Sequence, residues 1–225
     1  MITLYRPSGY DSPRASSFAG CSVDDKPLDV ENGSSFKEID TGRVFRYDKE
    51  NNLWIEQKST TGGGGATEPY IEETYDADGN LIEAKLYGYT KIRDNLYVGC
   101  TNLAHVSFSE SLTSIGESAF NSCSNLALTS LPAGVTSIGS GAFYGCSNLA
   151  LTSLPAGVTS IGSYAFSGCT RLTSITFKGT PTTIASSAFD GCTNLTDIKV
   201  PWAEGAVSGA PWGTTNATIT YNYTE

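Results

Sequence analysis

The chain has 225 residues, with 14 Lys and Arg against 23 Asp and Glu, a formal net charge of −9, 24 Gly, 6 Cys and one His. A hydrophobic fraction of 39% at this length supports a packed core, and no run of about 18 apolar residues exists to span a bilayer, so membrane insertion is not expected. A pI near 4.6 argues against duplex nucleic acid as a partner, because phosphate binding needs clustered cations; one His without a dense acidic cluster argues against a metal site or an acid–base enzyme.

The start of the chain, Met1 to Pro7, has no apolar stretch of the kind found in a secretory signal. Residues 1–30 carry Pro7, Pro13 and Pro27 and no hydrophobic period, which predicts an extended N-terminal arm. Residues 31–58 read as a small three-strand β meander, with Phe36 to Ile39, Val44 to Tyr47 and Leu53 to Gln57 separated by polar turns. Three short strands are marginal alone, so arm and meander are expected to gain their core from another chain. Phe36, Phe45, Tyr47 and Trp54 are the candidate anchor residues, with packing favoured over a ligand platform. Residues 59–69, containing Gly62 to Gly65, predict a flexible linker, and no Lys-Ser/Thr pair succeeds the glycines to make a phosphate loop. Over 70–91, Glu72 to Tyr75 and Leu81 to Leu86 flank Asp76-Ala77-Asp78-Gly79-Asn80, which predicts a hairpin that caps the C-terminal body. Asp76 and Asp78 resemble a fragment of a calcium loop, but the glycine is misplaced and the distal Glu is missing, which favours a plain turn.

The composition then shifts. Residues 101–225 carry only Arg171, Lys178 and Lys199 as cations and are rich in Ser and Thr. Over 92–200 the sequence repeats with a period of 23. Ile92, Ile115, Ile138, Ile161 and Ile184 form one column, and Tyr97, Phe120, Phe143, Phe166 and Phe189 a second. Cys100, Cys123, Cys146, Cys169 and Cys192 form a third, and Leu103, Leu126, Leu149, Leu172 and Leu195 a fourth. Residues 123–140 and 146–163 are the same string. A period in this range means a solenoid, here of five repeats, whose columns become buried ladders when the units stack. Each unit reads as one short parallel strand, as in Leu172-x-x-Ile175-x-Phe177, and a tight return of about one helical turn at Ser118-Ala119-Phe120 and its copies. In the duplicated units Thr129 and Thr152 stand where Val106, Ile175 and Ile198 stand elsewhere, and Leu128 and Leu151 precede them by one residue. Either the register shifts there or these leucines point outward. Residues 201–225 read as a closing cap, with Ile219-x-Tyr221-x-Tyr223 as a last strand covering the open edge.

The pattern I-G-x-x-A-F-x-x-C-x-x-L-x-x-I-x-[FLV]-P, matched closely at Ile161 to Phe177 and Ile184 to Pro201, resembles the BspA-like class of bacterial leucine-rich repeats. The resemblance covers roughly residues 85–205. It implies a curved solenoid found on microbial surfaces and in some phage proteins, serving adhesion or recognition rather than catalysis. Ile39-Asp40-Thr41-Gly42, Tyr47 before Asp48, and Trp54 after a polar turn resemble short modules of tailed-phage structural proteins.

The cysteines keep to the repeat period rather than C-x-x-C spacing, which disfavours zinc and favours small buried hydrophobes; disulfides between neighbouring units are the alternative. Cys21 lies outside the ladder and reads as a free thiol. His105 has Cys100 and Cys123 near it in sequence, but no third group orients a nucleophile–base pair, so a surface histidine is expected. The candidate binding face is His105, Leu128, Ser130, Leu151, Ser153, Ser174 and Thr176, a neutral, hydroxyl-rich surface suited to a glycan or a protein. No cofactor is expected. Together these features predict a non-enzymatic phage virion surface protein, a head or tail fibre or decoration component. It would be anchored to other virion proteins by its N-terminal region, as a homo-oligomer, and would display the solenoid to a host surface. The alternative is a bacterial cell-surface adhesin.

Overall fold

The structure is a computed structural model. It describes residues 69–224, Tyr70 by its backbone alone, and, before them, the backbone of five strands. The early strands are β1 (Thr3–Pro7), β2 (Ser17–Gly20), β3 (Ser35–Glu38), β4 (Val44–Asp48) and β5 (Leu53–Gln57). The hairpin strands β6 (Tyr70–Tyr75) and β7 (Leu81–Tyr87) come next, then β8 (Lys91–Ile92) and β9 (His105–Phe108). The remaining strands are β10 (Ser114–Ile115), β11 (Ser137–Ile138), β12 (Ser153–Leu154), β13 (Ser160–Ile161), β14 (Ser174–Phe177), β15 (Thr183–Ile184), β16 (Asp197–Lys199) and β17 (Thr218–Thr220).

One sheet runs in the order β5-β4-β3-β2-β1-β6-β7-β9. In it β3, β4 and β5 pair antiparallel, with Phe36 opposite Phe45 and Tyr47 opposite Trp54. Strands β1 and β2 fall in the stretch expected as an arm and are paired, β1 lying between β2 and β6. The glycine-rich stretch expected as a linker lies outside the described residues up to Pro69, as does Cys21. At the hairpin, Asp76 Oδ1 accepts hydrogen bonds from the backbone N–H groups of Asp78 and Asn80, and Gly79 adopts φ +82°. These bonds, led by the Asn80 side chain, hold the Asp76 carboxyl below its ordinary range. The carboxylate is thus engaged in closing a turn.

The 23-residue period becomes a stack of rungs. Ile92, Ile115, Ile138, Ile161 and Ile184 lie in register on β8, β10, β11, β13 and β15, a continuous parallel five-stranded sheet. Each of these strands is only two residues long. Behind them the aromatic column stacks nearly face to face. Ring centroids are 5.4 Å apart for Phe120–Phe143, 5.5 Å for Phe143–Phe166 and 5.2 Å for Phe166–Phe189. Offset stacking at such distances adds to the area each ring buries.

The cysteine ladder has a second role besides filling space. Cys123, Cys146, Cys169 and Cys192 each point Sγ at the backbone carbonyl of the aromatic residue one rung back, at 3.0 to 3.2 Å. The thiols are free, so the disulfide alternative is not realised. Burial pushes the Cys146 and Cys192 thiols up to about 12. The Ser and Thr abundance has a similar cause. Thr113, Thr136 and Thr159 each donate their hydroxyl to the carbonyl 23 residues earlier, at 2.8 to 3.1 Å, and so tie rung to rung at the solenoid's margin.

The return differs from the helical turn expected. No helix occurs among the described residues; 118–122 and its copies are tight turns with bonds such as Asn121 N–H to Ser118 C=O, 3.1 Å. The groups a helix would use are committed between rungs, Phe120 N–H bonding Ala142 C=O and Phe143 N–H bonding Ala165 C=O, both at 2.8 Å. At the far end Trp212 takes the place of the next rung, its carbonyl accepting from Phe189 N–H at 2.9 Å. Trp212 is fully buried, with Trp202 and Phe177 packed against it, and β17 adds a parallel strand to β16. The array is closed by indole rings.

Candidate functional site

Opposite the isoleucine sheet lies a second column of strands, and here the sequence irregularity has a structural consequence. In a regular rung the inward residues come after the ladder leucine at offsets of three and five, as Ile175 and Phe177 do after Leu172, which suits a strand of period two. In the duplicated rung the inward residues after Leu149 are Leu151 and Leu154, at offsets of two and five. One extra residue between inward side chains cannot be accommodated in a regular strand.

The two readings of the register are thereby separated. Leu151 is 2% exposed and Thr152 is turned outward, so the register shifts and the leucines do not form an outward patch. Leu128 is half-buried and packs against the core. The expected placement of Leu151 on an exposed binding face is therefore corrected, and Leu128 is half-buried rather than fully outward.

The sheet on this face consequently divides. Strand β9 ends the eight-stranded sheet, bound to β7. A separate four-stranded sheet, β12-β14-β16-β17, begins beyond the next rung. Between them residues 127–131 form no strand. Ala127 N–H still reaches Ala104 C=O at 3.0 Å, but the N–H groups of Thr129, Ser130 and Leu131 make no backbone hydrogen bond among the described residues.

The divergence leaves a cleft of about 530 Å³ between β9 and the loop that runs to Ala133. His105, Ser107 and Ser130 border it, with Leu128, Leu131 and Pro132 on the apolar side. Glu83 and Glu110 supply two carboxylates, and among the described residues no Lys or Arg lines it. Glu83 arrives because β7 and β9 pair in parallel with Glu83 opposite His105; its carboxylate also lies 3.6 Å from the Lys85 ammonium.

Three of the seven face residues therefore meet at the cleft: His105 and Ser130, both exposed, and Leu128. Ser153, Ser174 and Thr176 lie on the four-stranded sheet, Ser153 opposite Thr176 and Ser174 opposite Asp197. Leu151 belongs to the core. Phe36, Phe45, Tyr47 and Trp54 lie on β3, β4 and β5, far along the eight-stranded sheet in strand order. Sequence reasoning missed Glu83 and Glu110. The alternation Ile82-Glu83-Ala84-Lys85-Leu86 marks Glu83 as outward, but its neighbour is set by a parallel pairing that the sequence does not announce.

His105 does not form a nucleophile–base pair with the ladder. It is exposed, whereas Cys123 is buried with its thiol pushed far up and aimed at the Tyr97 carbonyl. Among the described residues no group of three or more His, Cys, Asp or Glu is placed to hold a metal, and no helix is long and apolar enough to cross a membrane. What the cleft offers is two carboxylates, an imidazole, hydroxyls and a free strand edge.

Rungs of 23 residues, parallel strands on two faces and stacked aromatics define a leucine-rich-repeat solenoid. A profile of the BspA-type leucine-rich repeat region matches residues 90–204 in six copies, one more than the five repeats expected, and the chain belongs to this family. Solved structures that it resembles include a T. pallidum leucine-rich repeat protein, at 24% identity over 58% of this chain and 81% of that one, TM-score 0.39. A Bacteroides ovatus leucine-rich repeat protein is 21% identical over 70% of this chain and 45% of that one, TM-score 0.42. A leucine-rich cell surface protein of Faecalibacterium prausnitzii is 20% identical over 78% of this chain and 71% of that one, TM-score 0.32. The chain thus spans less than half of the B. ovatus protein. No curated protein matches it. The family match does not reach residues 31–58, and the resemblance of that segment to phage structural proteins gains no support from these comparisons.

Proposed function

We propose that this chain is a non-enzymatic recognition module of a bacterial cell-surface leucine-rich-repeat protein, and that it binds its partner at the cleft between β9 and residues 127–133. Family membership supports the surface assignment through what the BspA-type resemblance implies. The observation that carries the binding role is the break in the sheet. Beyond the Ala127–Ala104 bond the hydrogen-bond ladder between β9 and residues 129–131 is given up, and the residues around the gap include two carboxylates and the molecule's single histidine. An unpaired edge that serves nothing is a liability, which favours a use for it. The virion placement gains no support from the comparisons, and the cell-surface reading takes its place.

The test is capture of the full chain on arrayed glycans and peptides, comparing wild type with Ser130→Trp. Ser130 is exposed, so the bulky side chain obstructs the cleft without entering the core. Binding lost in the variant at unchanged melting temperature is the expected result. Binding equal in both proteins places the partner elsewhere. Antibody labelling of intact producing cells tests the location, and staining only after lysis contradicts it.

A further inference from the structure

We infer that the cleft takes a short extended peptide segment bearing a Lys or Arg side chain, which pairs with the free edge of β9 as an added strand. This inference rests on the cleft being the recognition site and goes further by naming the chemical class of its occupant.

Strand β9 is four residues long and, as the terminal strand of its sheet, has one side paired to β7 and the other turned to the cleft. Four residues span about 13 Å, enough to bind three or four residues of a partner strand. The volume of about 530 Å³ lies in the usual range of ligand sites, roughly 300–1,000 Å³. Across the gap, Thr129, Ser130 and Leu131 provide N–H groups unused by the backbone of the described residues, so an inserted segment meets donors on its second side as well.

Charge then selects among peptides. Glu110 and Glu83, the latter also 3.6 Å from the Lys85 ammonium, border the gap, and no Lys or Arg lines it among the described residues, so a basic side chain is complemented and an acidic one repelled. Leu128, Leu131 and Pro132 offer apolar contact to the flanking side chain, in keeping with alternate-residue recognition along a strand.

A glycan is the less fitting occupant. Sugar rings favour an open aromatic face. Among the described residues the cleft's single aromatic, Phe108, is half-buried and set edge-on against Phe120 at 5.9 Å, and the exposed tyrosines Tyr144 and Tyr164 are not among the lining residues.

The experiment uses the full chain and a displayed library of random seven-residue peptides, with selected peptides resynthesised for affinity measurement. The expected winners carry Lys or Arg and lack Pro within the binding core. Glu83→Gln/Glu110→Gln should weaken them about tenfold or more, as loss of charge-assisted bonds requires. N-methylation along such a peptide should abolish binding at the alternate positions that face β9 and weaken it less at the intervening positions, the signature of strand pairing. Selected peptides that are acidic or Pro-rich, that ignore the double variant, or that tolerate N-methylation throughout overturn the inference, as does a library yielding no binder. The same proteins are run against the glycan array. Glycan capture lost in Ser130→Trp overturns the peptide inference and leaves the recognition reading intact, whereas failure of both libraries to find a cleft-dependent ligand overturns both.

Discussion

Replacing Phe143 by Ala perturbs the centre of the aromatic stack. Its ring lies 5.4 Å from Phe120 and 5.5 Å from Phe166, and no part of the side chain reaches solvent. Truncating a buried Phe costs about 3–5 kcal/mol. The loss of two ring contacts, each worth about 0.5–1.5 kcal/mol beyond buried area, puts this site at the upper end. In a stack where each rung touches only its neighbours, both interfaces of the rung are weakened together. Urea unfolding monitored by far-ultraviolet circular dichroism reads the effect. With a slope of about 2 kcal/mol per molar, a loss of about 4 kcal/mol lowers the midpoint by about 2 M. Ser174→Ala, on the exposed face, serves as the control and should stay within about 0.5 kcal/mol of wild type. A Phe143→Ala midpoint within the control's range would refute the ladder as the source of stability.

The same packing sets further outcomes. Leu151→Ala should cost about 2–5 kcal/mol by urea unfolding, because the side chain is inward; a near-neutral result would restore the outward reading. The ladder thiols of Cys123, Cys146, Cys169 and Cys192 should resist thiol reagents until the chain is denatured, and non-reducing intact mass should show them reduced. Burial raises the folded-state values of Cys146 and Cys192 from 9.0 to about 12, so the unfolded chain ionises first. Their contribution is complete below pH 9 and is lost as pH rises towards 12, so the urea midpoint should fall across that window, and a flat profile would contradict the burial. Deleting residues 144–166 removes one unit and should leave a folded, shorter and less stable solenoid by circular dichroism; an insoluble product would argue that the array is indivisible.

The ladders are legible in the sequence because each rung must present the same side chain at the same place, so Ile, Phe, Cys and Leu recur at a fixed spacing. The shape of the return is not. Ser118-Ala119-Phe120 has the local look of a helical turn, and only the bonds to the next rung, formed 22 residues away in sequence, divert it. The two-residue strands ending at the isoleucine column are too short to show strand alternation. At Leu128 and Leu151 the sequence signals an irregularity without deciding its direction, since an offset of two satisfies burial only if the strand bulges. The cleft is half visible: His105, Leu128 and Ser130 are readable as face residues, while Glu83 requires the parallel pairing of β7 with β9, and Glu110, two residues beyond β9, lies in a segment with no face pattern.

If the offset leucine opens the sheet and so creates the site, restoring the regular offsets should close it. Amide hydrogen exchange on wild type and on Leu128→Ser/Thr129→Val, which restores them, decides the matter. Rapid exchange at 129–131 is expected in wild type, with slow exchange at 174–178, and in the variant a slowing at 129–131 of about tenfold or more as the ladder forms. Ligand capture should be lost in the same variant. Wild-type protection at 129–131 equal to that at 174–178, unchanged by the substitutions, would contradict this origin of the site.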